Sequence, residues 1–278
     1  MGDVVKLNRA TILVPCTGTD AFLKSIYEDF KKDIPKGFTN YQYKGGQLNL
    51  PLPPDSPALE EVIEMLRSQK ISVDLFSEMH YTKKELDNLP FFQMCIAVPL
   101  ELEGVHADYF GTRYEGRCPN CDFGGTPIGN ILVDRKFVKK CKIGWLYPNI
   151  VVSREVRDFI ESNELTGVSF GERVLDYKGR EIPELYVMNV HHVLPPMSES
   201  TWLVKSGVAR YQKCGHDVVY LRSDIQYEKE KLDGALDFNL TAEFVDNYRS
   251  PELVVSARAK KLFKEHRIFS FFRPITLL

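Results

Sequence analysis

Two periods of hydrophobic and polar positions follow one another along the chain. "ATILVP" is a continuous apolar run, and the stretch after it, "AFLKSIYEDFKK", repeats its apolar residues at helical spacing through Phe22, Leu23, Ile26, Tyr27 and Phe30. The pattern predicts a buried strand, a turn at Cys16 to Asp20, and an amphipathic helix. "YQYKGGQLNLPLPPDSP" reads as a Gly- and Pro-rich loop. "SPALEEVIEMLRSQK" predicts a helix with Ser56 as N-cap, Pro57 at the first helical position and Glu60 in the first turn. In "YTKKELDNLP", Thr82 and Glu85 form a capping box and Pro90 ends a short helix, after which "FFQMCIAVPLEL" reads as a strand. Together these elements predict an N-terminal α/β region over about residues 1–100.

The remainder, residues 101–278, contains an internal repeat. "PNIVVSREVRDFIESNELTGVSF" and "PELVVSARAKKLFKEHRIFSFFR" align without gaps, Pro148 over Pro251 and Val151-Val152-Ser153 over Val254-Val255-Ser256. Val156, Phe159, Ile160 and Leu165 fall opposite Ala259, Leu262, Phe263 and Ile268, the stripe of a helix lying on a core. Each unit, about 148–170 and 251–273, is expected to be a strand, a serine N-cap, a helix and a returning strand. The expected fold class is α/β, with mixed α+β as the variant, built on a duplicated strand–helix–strand module. Ser153 and Ser256 are read as caps for orphan N–H groups rather than as nucleophiles. "LDYKGREIPELYVMNV" predicts a hairpin turning at Lys178-Gly179.

Composition narrows the function. The chain has 278 residues, 44% of them hydrophobic and 27% charged, ordinary globular values with enough length for a large core. A net charge of −2 provides no global attraction for phosphate backbones, so a nucleic-acid partner would need a local patch. No signal peptide or long apolar run is visible, which leads to the expectation of a cytoplasmic protein without a membrane partner. Lys6 stands where a myristoylation motif needs Ser or Thr. Six dispersed cysteines fit free thiols and metal ligands better than disulfides.

Candidate chemistry centres on "RCPNCDFGG", in which Cys118 and Cys121 have the spacing of half a tetrahedral zinc site. "QKCGHD" offers Cys214 and His216 as the other half, although Tyr211 occupies the position three before Cys214. Cys141 follows Cys121 at the ribbon-like interval of about 15–20 residues and is an alternative ligand. The zinc reading takes one structural ion held by Cys118, Cys121, Cys214 and His216, with no open position for catalysis; its alternative is a metal-free turn whose thiols are packed. His191 and His192 are adjacent on a strand and point to opposite faces, so one metal cannot easily take both. Cys16, before a helix, has the placement of a low-pKa thiol but no identifiable histidine partner. Asp233, Asp237 and Glu243 are read as solvated carboxylates, and "RAKKLFKEHR" as the solvated outer face of the second repeat helix. No catalytic or cofactor-binding residue is expected.

"YFGTRYEGRCPNCDFGG", the downstream Cys214-Gly215 and the strand–Ser–helix segments ending in Phe-x-Pro-Ile resemble bacterial double-CxxCG immunity proteins over roughly residues 80–278. In this chain Asp122 replaces the Gly of the first motif and Tyr211 the first Cys of the second. The resemblance implies an antitoxin-like protein that neutralises a cognate toxin by binding it. Rival readings are a zinc-ribbon nucleic-acid adaptor and a thiol enzyme using Cys16. The oligomeric state is open.

Overall fold

A computed structural model describes residues 6–13, 20–33, 42–44, 47–52, 56–69, 71, 74–79, 81–96, 112–120, 126–133, 142–146, 149–205, 212–215, 218–245, 250–268 and 270–278. It contains both helices and strands, as an α/β class requires. Two compact units divide it: Met1–Asp87 with Arg222–Asp224, and Asn88–Leu221 with Ile225–Leu278.

In the first unit, strands β1 (Lys6–Leu13), β2 (Gln42–Lys44), β3 (Gln47–Leu52) and β4 (Asp74–Met79) form a sheet of order β2-β3-β1-β4. Every neighbouring pair is antiparallel. The segment expected as a loop thus supplies β3. Pro51 is tolerated there because β2 pairs only with Gln47 to Asn49, so at Pro51 no ladder bond to β2 is lost. Helices α1 (Asp20–Phe30) and α2 (Pro57–Ser68) bury Leu23, Ile26 and Phe30 and Leu59, Val62 and Leu66 with Leu50, Leu52 and Ile71. These are the positions that helical periodicity selects, each worth roughly 1.5–3 kcal/mol of transfer free energy. The Ser56 hydroxyl accepts from Leu59 N–H at 3.2 Å, as an N-cap should. Helix α3 (Lys83–Asn88) has its capping box: Glu85 N–H reaches Thr82 Oγ1 at 3.3 Å and Thr82 N–H reaches Glu85 Oε2 at 2.7 Å.

The boundary between the units falls at Asp87/Asn88 rather than near residue 100. The reason is β5 (Phe91–Cys95), which pairs with C-terminal strands on both sides. Along the second unit follow β6 (Arg113–Glu115), β7 (Thr126–Ile128), β8 (Ile131–Val133), β9 (Ile143–Leu146) and β10 (Asn149–Ser153). Helix α4 (Arg154–Ser162) leads to β11 (Val168–Asp176), β12 (Glu181–Val190), β13 (Leu203–Lys205), β14 (Val218–Leu221) and β15 (Gln226–Tyr227). The chain continues through β16 (Phe238–Val245), β17 (Ser250–Ser256), α5 (Ala257–Glu265), β18 (Phe271–Pro274) and β19 (Thr276–Leu277). One sheet has the order β8-β11-β12-β10-β9, another β13-β14-β16-β17-β5-β18, and β15-β19 and β6-β7 form two-stranded sheets.

The two aligned segments adopt the same local geometry. Ser153 and Ser256 have φ/ψ of −71/161° and −68/159°, and each hydroxyl accepts from the N–H three residues on, Val156 at 3.3 Å and Ala259 at 3.0 Å. Both helices are left through a residue at positive φ, Glu164 at 51° and Arg267 at 53°. Leu165 and Ile268 then turn back to bond Ile160 O and Phe263 O. The returning strand is not adjacent to the outgoing one. β12 lies between β10 and β11, and β5 lies between β17 and β18. The strand orders β11-β12-β10-β9 and β18-β5-β17-β16 therefore correspond, antiparallel throughout. Val156, Phe159 and Ile160 of α4 share one core with Ala259 and Phe263 of α5, together with Phe92, Met94, Val152, Phe238 and Val255. The Phe159 and Phe263 rings meet edge to face at 5.8 Å.

Candidate functional site

Of the residues expected to hold zinc, Cys118 and Cys214 are described, each in a connection between strands of the second unit. Cys118 stands in the connection between β6 and β7, an antiparallel pair closing at Glu115 and Thr126. Tyr114 and Arg117 stack beside it, the guanidinium 4.8 Å from the ring centroid. Cys214 stands in the connection between β13 and β14, whose ladder ends at Lys205 and Val219. Its turn is closed by Gly215 N–H to Gln212 O at 3.1 Å, with Gly215 at φ +70° and open space around its Cα. A glycine after the cysteine suits that turn because a side chain at this φ is strained. Both thiols are partly buried. Cys121, His216, Cys141 and Cys16 lie outside the described residues, and among the described residues no group of three metal-binding side chains converges.

The adjacent histidines lie just beyond the end of β12 at Val190, not on a strand as expected, and they have separate partners. His191 Nε2 is 2.5 Å from Ser169 Oγ on the exposed side of β11. A serine–histidine contact is half of a nucleophile–base pair, but among the described residues no carboxylate orients the ring. His192 Nδ1 is 2.8 Å from Asn239 Oδ1. Because the Asn239 amide donates to Leu236 O and Val254 O, its oxygen must accept, which puts the imidazole proton on Nδ1.

Asp237 corrects the expectation of solvated carboxylates. It is 7% exposed and acts as a hub. Its Oδ1 accepts from Ser256 Oγ at 2.6 Å, and Oδ2 accepts from Thr166 N–H at 3.1 Å and pairs with Arg258 at 3.0 Å. Arg258 also donates to Asn163 O at 2.6 Å, so one ion pair ties the end of α4 to the start of α5. Glu243 is not simply solvated either: Oε1 accepts from Met197 N–H at 2.8 Å and Oε2 is buried without a hydrogen bond. Near it the fully buried Tyr227 has an unpartnered hydroxyl, and burial, then the Glu243 charge, pushes the phenol above its ordinary range. Sequence reasoning read Glu243 only as a solvated carboxylate, and Tyr227 stands in the alternating run Ile225-Gln226-Tyr227-Glu228, which signals no partner for it. At Cys95 burial pushes the thiol up, with Arg273 opposing and Glu252 reinforcing the rise. That is the electrostatics of an inert thiol rather than an activated one.

No helix among the described residues is long and apolar enough to cross a membrane. Large apolar side chains stand exposed on strands and turns of the second unit: Trp202 and Val204 at β13, Tyr177 at the β11–β12 turn, and Phe271 on β18. Compared with models of known families and with curated proteins, the sequence matches neither a family model nor a curated sequence.

Proposed function

We propose that this chain is a non-enzymatic immunity protein that neutralises a cognate bacterial toxin in the cytoplasm by direct binding. The reading rests on the resemblance carried by "RCPNCDFGG" and Cys214-Gly215. The observation that supports it is the exposure of Val204 and Phe271 on strands, Tyr177 at a hydrogen-bonded turn and Trp202 just before β13. Aromatic anchors held on ordered backbone lose little entropy on docking, which suits a tight partner interface.

One structural zinc, bound by Cys118, Cys121, Cys214 and His216, belongs to this proposal. Three thiolates and one imidazole are a donor set that zinc favours, and the two described ligands each stand in a turn joining paired antiparallel strands. The metal would hold these turns together and perform no chemistry. The same placement suits a zinc-ribbon nucleic-acid adaptor, which requires binding that weakens steeply with salt.

The test is calorimetric titration of the protein with the polypeptide encoded by the neighbouring gene, paired with survival of cells expressing that polypeptide. Nanomolar binding with protection is the expected result. Absence of both removes the immunity reading, and a steep salt slope on nucleic acid would replace it with the adaptor.

A further inference from the structure

The aligned segments carry opposite charges on corresponding exposed positions. With Pro148 over Pro251, Glu155 falls opposite Arg258, Asp158 opposite Lys261, Glu161 opposite Lys264 and Glu164 opposite Arg267. All eight side chains are exposed. The inversion extends below the helices: Lys142 O accepts the Ser153 N–H and its amine pairs with Glu155 at 2.5 Å. Asp237 O accepts the Ser256 N–H and its carboxylate pairs with Arg258. The same place in each segment thus holds an ion pair with its polarity exchanged.

The start of α5 meets the end of α4. Arg258, at the start of α5, bonds the carbonyls of Asn163 and Glu164 at the end of α4, while Phe263 meets Phe159 farther along. An acidic and a basic helix face are therefore neighbours in the second unit. Arg157 pairs with Asp158 and Glu161 in part, but among the described residues no carboxylate lies within ion-pair distance of Lys261, Lys264 or Arg267. Lys261 and Lys264 are three residues apart, where like charges repel along a helix face.

We propose that the two segments are copies of one module whose outer faces diverged to opposite charge, and that these faces form a two-fold interface between two copies of this chain. A rotation that sets α4 of one copy on α5 of the other makes the contact twice. Asp158, Glu161 and Glu164 then oppose Lys261, Lys264 and Arg267. The charge that α5 leaves uncompensated in one chain finds its complement on the other.

Sedimentation velocity of the full chain tests this at about 50 mM and about 500 mM salt, conditions of weak and strong screening. A dimer at low salt that dissociates at high salt is expected. Lys261→Glu with Lys264→Glu should weaken association at least about tenfold, and adding Asp158→Lys with Glu161→Lys should restore it. Restoration excludes a mere folding defect, and far-UV circular dichroism of each variant checks the fold directly. A chain that stays monomeric at low salt overturns the proposal. So does a dimer that the reversals leave unchanged, or a monomer that uses Lys261 and Lys264 to hold nucleic acid or another acidic protein.

Discussion

Asp237 shows how much a single carboxylate can organise when it is removed from water. It accepts from a serine cap, a threonine amide and an arginine, groups belonging to both helix segments. Asp237→Ala leaves the Ser256 hydroxyl and Thr166 N–H without an acceptor, while Arg258, half exposed, recovers part of its solvation. The expected loss is about 2–3 kcal/mol in urea unfolding, that of hydrogen bonds to a charged group. A loss too small to measure would mean that water replaces the carboxylate and that the hub is incidental. Asp176 makes a different prediction, because its charge is coupled to a turn. Its carboxylate takes Arg180 Nε at 2.8 Å and the Lys178 and Arg180 N–H groups at 2.9 and 3.0 Å. The hydrogen bond from the Arg180 side chain is the main cause that holds its pKa below the ordinary carboxylate value, in spite of burial. A depressed folded-state pKa contributes stability that is complete above the unfolded-state value and is lost as pH falls through the folded one. Thermal midpoints followed from about pH 7 to about pH 2 should therefore fall less steeply for Asp176→Asn than for the parent. Equal acid limbs would contradict the assignment.

At the scale of elements, the serine caps separate what local sequence determines from what the fold adds. Ser153→Ala removes one acceptor for an orphan helix N–H and should cost about 1 kcal/mol. Ser256→Ala removes the same acceptor and also the 2.6 Å bond to Asp237, and should cost about 2 kcal/mol. Matched chemical denaturation of the two variants reads the difference; equal losses would show that the bond to Asp237 contributes nothing. The caps were legible because Ser before an apolar stripe is a local signal, as was the Thr82–Glu85 box. The Asp237 hub was not legible, since Thr166 and Asp237 are distant in sequence and meet only where the segments before β11 and β16 cross. The same limit applies at Gly167, which looks like an ordinary turn glycine. At φ +93° an added Cβ would stand 2.1 Å from Phe238 O, because two segments cross there through Phe238 N–H to Thr166 O and His191 N–H to Gly167 O. Strand β3 reads as a loop for a related reason: proline and glycine are turn signals in isolation, and only the partial overlap of β2 makes Pro51 acceptable in a strand.

The molecule as a whole joins local elements through long-range pairing, and there sequence reading reaches its limit. Strand β5 reads as the end of an N-terminal region, yet it completes a sheet whose other members come from beyond residue 200, so the unit boundary depends on β17 and β18. Half of the candidate metal centre has the same character. The Cys118–Cys121 spacing is local and readable, whereas Cys214 and His216 join it only if the β6–β7 and β13–β14 connections come together in the fold. Metal content decides that point. If the four ligands hold one zinc, the purified chain should contain about one equivalent, and a strong chelator should lower its thermal midpoint, because ligation contributes on the order of 10 kcal/mol in zinc peptides. Cys118→Ser and Cys214→Ser should each remove the metal and reproduce the chelator's effect without a further loss when chelator is added. Metal retained by Cys214→Ser but lost by Cys118→Ser and by Cys141→Ser would move the site to the first turn and Cys141. A chain without zinc whose midpoint ignores the chelator would reduce both turns to packed thiols and leave the toxin-binding proposal to stand on the exposed aromatic side chains.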